Sequence, residues 1–158
     1  MNTSTQMQNS TNVNTNKKPV FLFIGAHPDD ETQVGGTMAK LSRSGFDVFA
    51  YITTPGRGGK PNSDEESSSE DTILKDRKEE ADTFAQEIGM TTFINDNKTQ
   101  FLENSEADVL NLVKYIRTIR PNIIVVQNSG DYHFEHIQSH KLGLLAAEIS
   151  MRSMLLEY

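Results

Sequence analysis

Between Val20 and Gly36 the chain reads VFLFIGAHPDDETQVGG. An apolar run gives way to His27, Pro28 and three consecutive acids, Asp29, Asp30 and Glu31, with no lysine or arginine beside them. Packed like charges repel, and carboxylates at the end of a buried run need solvent or a partner. A divalent cation is such a partner. A second group of the same residue types, Asp131, His133, Glu135 and His136, lies roughly a hundred residues later in QNSGDYHFEH (127–136). The chain has no cysteine, so a metal here must be held by His, Asp or Glu, donors that suit Zn²⁺ and also Fe²⁺. A catalytic zinc commonly keeps three protein ligands and one open position. His27, Asp30 and His136 make such a set, because Asp30 follows His27 by three residues and a tight turn aims both inward. Asp29 would then stand beside the ion without binding it, where a carboxylate can take a proton from water that the metal has acidified. That is the layout of a hydrolase.

The two segments must be brought together by the elements around them. FLFI (21–24) has no alternation and suits a strand buried on both faces. Val34, Met38 and Leu41 recur at helical spacing, with Gly45 placed to end the helix. DVFAYIT (47–53) reads as a second strand, and residues 54–71 as a long loop of glycine, proline, serine and acids. Ile73, Arg77, Ala81, Phe84, Ala85 and Ile88 trace a second helix, ending at Gly89. TTFI (91–94) is a short third strand. Ser105 and Asp108 resemble a capping box for a third helix, with Val109, Leu112, Val113, Ile116 and Ile119 on its apolar face and Pro121 after it. NIIVV (122–126) is a fourth strand, and a last helix runs from about His136 with Leu144, Leu145, Ile149 and Leu155 on its buried side. The alternation β-α-β-α-β-α-β-α predicts an α/β fold, a Rossmann-like three-layer sandwich with a mainly parallel sheet. Ligands of such sheets bind beyond the carboxyl ends of the strands. Both acidic segments follow strand ends, so both are expected in one crevice.

Composition bounds the rest. The 158 residues suffice for one ordinary domain. Residues 1–17 are almost wholly Asn, Thr, Ser and Gln, a composition that favours a disordered polar tail before a folded domain over 18–158. The net charge of −7 argues against a nucleic-acid partner or an anionic membrane surface. No apolar run approaches a membrane span, and a cytoplasmic setting is the default expectation. Nothing in the composition fixes or excludes a homo-oligomer. GRGGK (56–60) is no phosphate loop, because Pro61 and acids follow Lys60 where a Ser or Thr should open a helix.

AHPDDE, then TPGRGG as T-x-G-x-x-G, then RKEE as R-x-x-E, then DYHFEH as D-x-H-x-x-H, together resemble the LmbE/PIG-L family of zinc-dependent N-deacetylases. The resemblance runs from about Val20 to the C-terminus. It implies removal of the acetyl group from an N-acetylated amino sugar, such as an N-acetylglucosaminyl conjugate, so the expected partner is a small-molecule or glycoconjugate substrate. It implies Zn²⁺ on His27, Asp30 and His136, with Asp29 as general base and later proton donor. By the same resemblance His133 would stabilise the oxyanion, Asp131 would orient a histidine, and Arg77 would face the substrate. An exposed Arg77–Glu80 pair is the alternative for that arginine. His140, one turn after His136, is a rival ligand that the family pattern does not need. The chain departs from the pattern in three places. The late motif reads HFEH where HPDH or HxDH is usual; Arg57 stands where an acid is common; and family chains usually continue past the last helix into further strands. The expectation is therefore an LmbE-like fold truncated at its C-terminus. Two other readings carry weight: a non-catalytic module that binds metal or sugar, and a metal phosphoesterase using the same ligands.

Overall fold

The computed structural model describes residues 17–57, 69–97 and 102–155, with side chains as far as residue 151. The polar tail expected over 1–17 lies outside the described residues apart from Lys17, as does the 58–68 part of the long loop. Four strands, β1 (Val20–Gly25), β2 (Asp47–Ile52), β3 (Thr91–Ile94) and β4 (Ile123–Val126), alternate with four helices, α1 (Gly35–Arg43), α2 (Glu70–Ile88), α3 (Glu106–Ile119) and α4 (Phe134–Leu155). A short 3-10 turn over Asp30–Val34 leads into α1. All strand pairs are parallel, in the order β3-β2-β1-β4.

All six residues of β1 are buried, as its unbroken apolar run requires of a strand covered on both sides. Phe21 and Phe23 face one helical layer, packing with Met38 of α1, Ala85 of α2, and Val48 and Ala50 of β2. Leu22 and Ile24 face the other, with Leu112, Val113 and Ile116 of α3 and Leu142 and Ala146 of α4. The expected three-layer sandwich is thus formed by α1 and α2 on one face and α3 and α4 on the other. Ser105 and Asp108 make the expected capping box, and Gly89 ends α2 at φ 73°.

The chain moves outward from β1 through β2 to β3, then returns to place β4 on the opposite side of β1. The crevice at the carboxyl ends of β1 and β4 is the switch point where such sheets hold ligands.

One expectation about α4 is corrected. Leu144 and Leu145 are 52% and 45% exposed, while Leu142, Ala146 and Ala147 are the buried ones. Apolar residues occur all around this helix, so periodicity does not single out its inner face. The inner face is chosen by Gly143. A β-carbon there would stand 2.7 Å from a methyl of Val126 and 3.4 Å from Ile24, so only glycine lets α4 lie this close to β1 and β4.

Candidate metal centre

The end of β1 builds the first half of the site. Asp30 turns back on the strand, and its Oδ2 accepts the backbone N–H groups of Ala26 and His27, each at 2.8 Å. Its other oxygen, Oδ1, is left facing His136 Nε2 at 3.3 Å. The second half comes from the loop after β4 and the first turn of α4. There Asp131 accepts the His133 backbone N–H through Oδ1 at 2.8 Å and pairs with His136 Nδ1 through Oδ2, also at 2.8 Å. These bonds, the His133 amide first, hold the Asp131 carboxyl below its ordinary value.

Across the gap His27 Nδ1 lies 3.2 Å from His136 Nε2 and 3.9 Å from Asp30 Oδ2. The outer nitrogen of His27, Nε2, meets Glu135 Oε2 at 2.6 Å. His27 and His136 therefore each have one ring N–H that donates a hydrogen bond to a carboxylate. The other nitrogen of each ring is then a bare lone pair, aimed at its counterpart and at a carboxylate oxygen. Such a set is held together by a cation or a proton between its members. Two donors about 2.1 Å from a tetrahedral ion are about 3.4 Å apart, close to the 3.2 Å and 3.3 Å separations here. The side chains of His27, Asp30 and His136 are only 13%, 5% and 15% exposed.

His133 belongs to the same cluster. One donor atom each from His27, His133 and His136 fall within 4.8 Å of one another. The His133 ring stands edge-on to His27 at 5.0 Å and 4.7 Å from His136, but the residue is exposed. His27, His133 and His136 thus form one group of possible metal donors, and Asp30 Oδ1 adjoins it at His136. His140 is not in that group of donors; its Nδ1 donates to the Gln127 carbonyl at 2.7 Å.

Of the other two acids of the first segment, Glu31 is buried and Asp29 exposed. Burial pushes the Glu31 carboxyl up, with the charges of Asp29 and Asp30 adding to the effect. Among the described residues no lysine or arginine pairs with any of the three acids.

The chain is similar to known proteins. The family model for PIG-L, GlcNAc-PI de-N-acetylase, matches residues 22–147. The chain belongs to this family. It is 29% identical over 150 residues to a mycothiol S-conjugate amidase of Streptomyces coelicolor, covering 81% of this chain and 51% of that one. It is 30% identical over 156 residues to a 1D-myo-inositol 2-acetamido-2-deoxy-alpha-D-glucopyranoside deacetylase of Thermomonospora curvata, covering 82% and 52%. Among solved structures it resembles the N,N'-diacetylchitobiose deacetylase from Pyrococcus horikoshii, with a TM-score of 0.70, 27% identity and coverage of 82% and 48%. A 4-carboxy-2-hydroxymuconate hydratase from Pseudomonas putida shares the fold, with a TM-score of 0.74 at 22% identity over 83% of this chain and 56% of that one. The chain spans about half the length of these relatives.

Where this PIG-L family chain departs from the usual motif, the structure shows what the new residue touches. Glu135 stands in place of a shorter acid and reaches His27, a partner 108 positions away that sequence spacing could not reveal. Arg57 pairs with Glu70 of α2 at 3.1 Å and with Asp96, after β3, at 2.9 Å. Arg77 forms no ion pair with Glu80. Its guanidinium instead donates to the Gly56 carbonyl at 3.2 Å. Gly56 has φ 77°, a left-handed conformation that favours glycine, and a β-carbon on it would fall 2.3 Å from that guanidinium and displace it. The same turn lies against Pro28, next to His27.

Proposed function

We propose that this chain carries the catalytic centre of a metal-dependent hydrolase that removes the acetyl group from an N-acetylated amino sugar conjugate. The observation that carries the reading is the convergence of His27 Nδ1, His136 Nε2 and Asp30 Oδ1, with the outer nitrogens of both imidazoles engaged by Glu135 and Asp131. We assign the metal to His27, Asp30 and His136. Bound there, Zn²⁺, or Fe²⁺ in its place, would polarise a carbonyl and acidify water. Asp29 takes the proton of the attacking water as its oxygen bonds to the acetamide carbon. His133, exposed at the mouth of the site, donates to the oxygen on which negative charge develops. When the C–N bond breaks, Asp29 returns the proton to the leaving amine, giving acetate and a free amino sugar. Asp131 holds His136 in the tautomer that leaves Nε2 free.

Room for the conjugate is available beside the site. A cleft of about 510 Å³ opens at Pro28 and is walled by Arg57, Lys78, Asp82, Phe93 and Asp96. Charged groups and one aromatic face suit the hydroxyls and the apolar face of a sugar. We assign Arg77, tethered to Gly56 next to Pro28, to substrate contact. The relatives named as amidase and deacetylases support the same substrate class.

The test is acetate release from a panel of N-acetylglucosaminides by purified protein, with and without chelator, together with Asp29→Asn. We expect activity that chelator abolishes, and an Asp29→Asn variant that keeps its metal while losing about 10²–10⁴-fold in turnover. Metal-replete protein that releases no acetate overturns the proposal in favour of a binding module. Turnover of phosphate esters instead would assign the same ligands to a phosphoesterase.

A further inference from the structure

Asp29 is held in a conformation that its residue type resists. Its backbone lies at φ 143° and ψ −24°, a region where a residue with a β-carbon is seldom found. Nothing in the side chain explains it: among the described residues the Asp29 carboxylate accepts no hydrogen bond and forms no ion pair. The backbone on either side is clamped instead. The Asp29 carbonyl accepts from Thr32 twice, from N–H at 3.0 Å and from Oγ1 at 2.5 Å. The Asp29 N–H donates to Glu31 Oε2 at 3.0 Å. Glu31 is 1% exposed, so this carboxylate has given up solvent to reach back over its own turn. A buried acid beside two others is costly unless it does something that a smaller or apolar residue would not.

We infer that Glu31 is a positioning residue: by taking the Asp29 amide it fixes the strained backbone that presents the Asp29 carboxylate, unbonded, to the substrate side of the site. This rests on the proton-transfer role proposed for Asp29. Without the Glu31 oxygen the Asp29 peptide relaxes towards an ordinary conformation and carries the carboxylate with it. Displacements of about 1 Å at a reacting group cost about 10²-fold in rate. The metal donors are held by other bonds, the Asp30 carboxylate by Ala26 and His27, so they stay in place.

The test compares Glu31→Ala with Glu31→Gln, which keeps an acceptor oxygen at the same reach. For each variant, zinc content, kcat and KM are measured, along with the Asp29 amide by ¹H–¹⁵N NMR and hydrogen exchange in the zinc-free protein. Glu31→Ala should retain zinc and KM, lose about 10²-fold in kcat, and lose the exchange protection of the Asp29 amide. Glu31→Gln should restore kcat to within a few-fold and keep the amide protected. An Asp29 amide equally protected in wild type and Glu31→Ala overturns the inference. So does a folded Glu31→Gln variant as impaired as Glu31→Ala, because the acceptor would then not be what matters. If wild-type protein releases no acetate, the catalytic reading fails by itself, while the amide still reports whether Glu31 holds Asp29. If Glu31→Ala does not fold, Glu31→Gln and the wild-type amide decide: an Asp29 amide that exchanges freely in wild type refutes the clamp.

Discussion

Replacing Glu135 by alanine tests the metal centre where this chain differs from its family. The Glu135 carboxylate meets His27 Nε2 at 2.6 Å, and the two side chains are only 10% and 13% exposed. In Glu135→Ala the His27 N–H loses its acceptor in a place that water scarcely reaches, and the ring is free to turn or to move its proton to the nitrogen that should bind metal. Losing such an outer partner typically costs about 10–100-fold in metal affinity, equivalent to about 1.4–2.7 kcal/mol. The upper half of that range applies here. The bond is short and shielded, and hydrogen bonds to charged groups contribute about 1.5–3 kcal/mol. We expect zinc affinity, measured by competition with a chromogenic chelator, to fall about 30–100-fold in Glu135→Ala. Glu135→Gln keeps an acceptor but not the charge and should lose less than about tenfold. A parallel melting curve of the metal-free proteins separates misfolding from lost affinity. A folded Glu135→Ala protein with zinc affinity within about threefold of wild type would refute the reasoning, since His27 would then need no partner to offer Nδ1.

Asp131 supplies a pH signature. Its folded carboxyl lies below the ordinary value of 3.8, mainly through the His133 amide and then through His136. A depressed acid adds stability that is fully present above its unfolded value and is lost as pH falls through the folded one. The melting-temperature gap between wild type and Asp131→Ala should therefore be widest near neutral pH and close as pH drops below 3.8. A gap that stays constant through that window would contradict the assignment. Gly143→Val tests the seat of α4. The new side chain meets Val126 at 2.7 Å, and overpacking of this kind costs about 1–3 kcal/mol, read from urea denaturation. Because α4 carries Glu135 and His136, zinc affinity should fall with it.

Much of this architecture was legible because local chemistry and global packing agree. The unbroken apolar run of β1, the Ser105–Asp108 box and Gly89 each have one physical use, and the structure puts them to it. The convergence of the histidines and acids after β1 and β4 was legible for a different reason: parallel topology brings strand ends together. Other features were hidden. The buried side of α4 is decided by where Gly143 lets the helix settle, not by hydropathy, because Leu144, Leu145 and Met151 are apolar and exposed while Ser139 and Ser150 are polar and buried. The reach of Glu135 to His27 spans 108 positions. The clamp of Glu31 on the Asp29 amide leaves no trace in spacing, because nearby acids in a turn usually point to water.

The sheet order 3-2-1-4 has a consequence for how an ion would act on the whole molecule. His27 leaves the central strand and His136 opens the final helix, 109 positions apart in the chain. An ion shared by the two rings would rivet β1 to α4, elements far apart among the described residues. Peeling α4 from the sheet would then require breaking coordination bonds as well as apolar contacts. Metal release and the detachment of that helix would become a single event with a single rate.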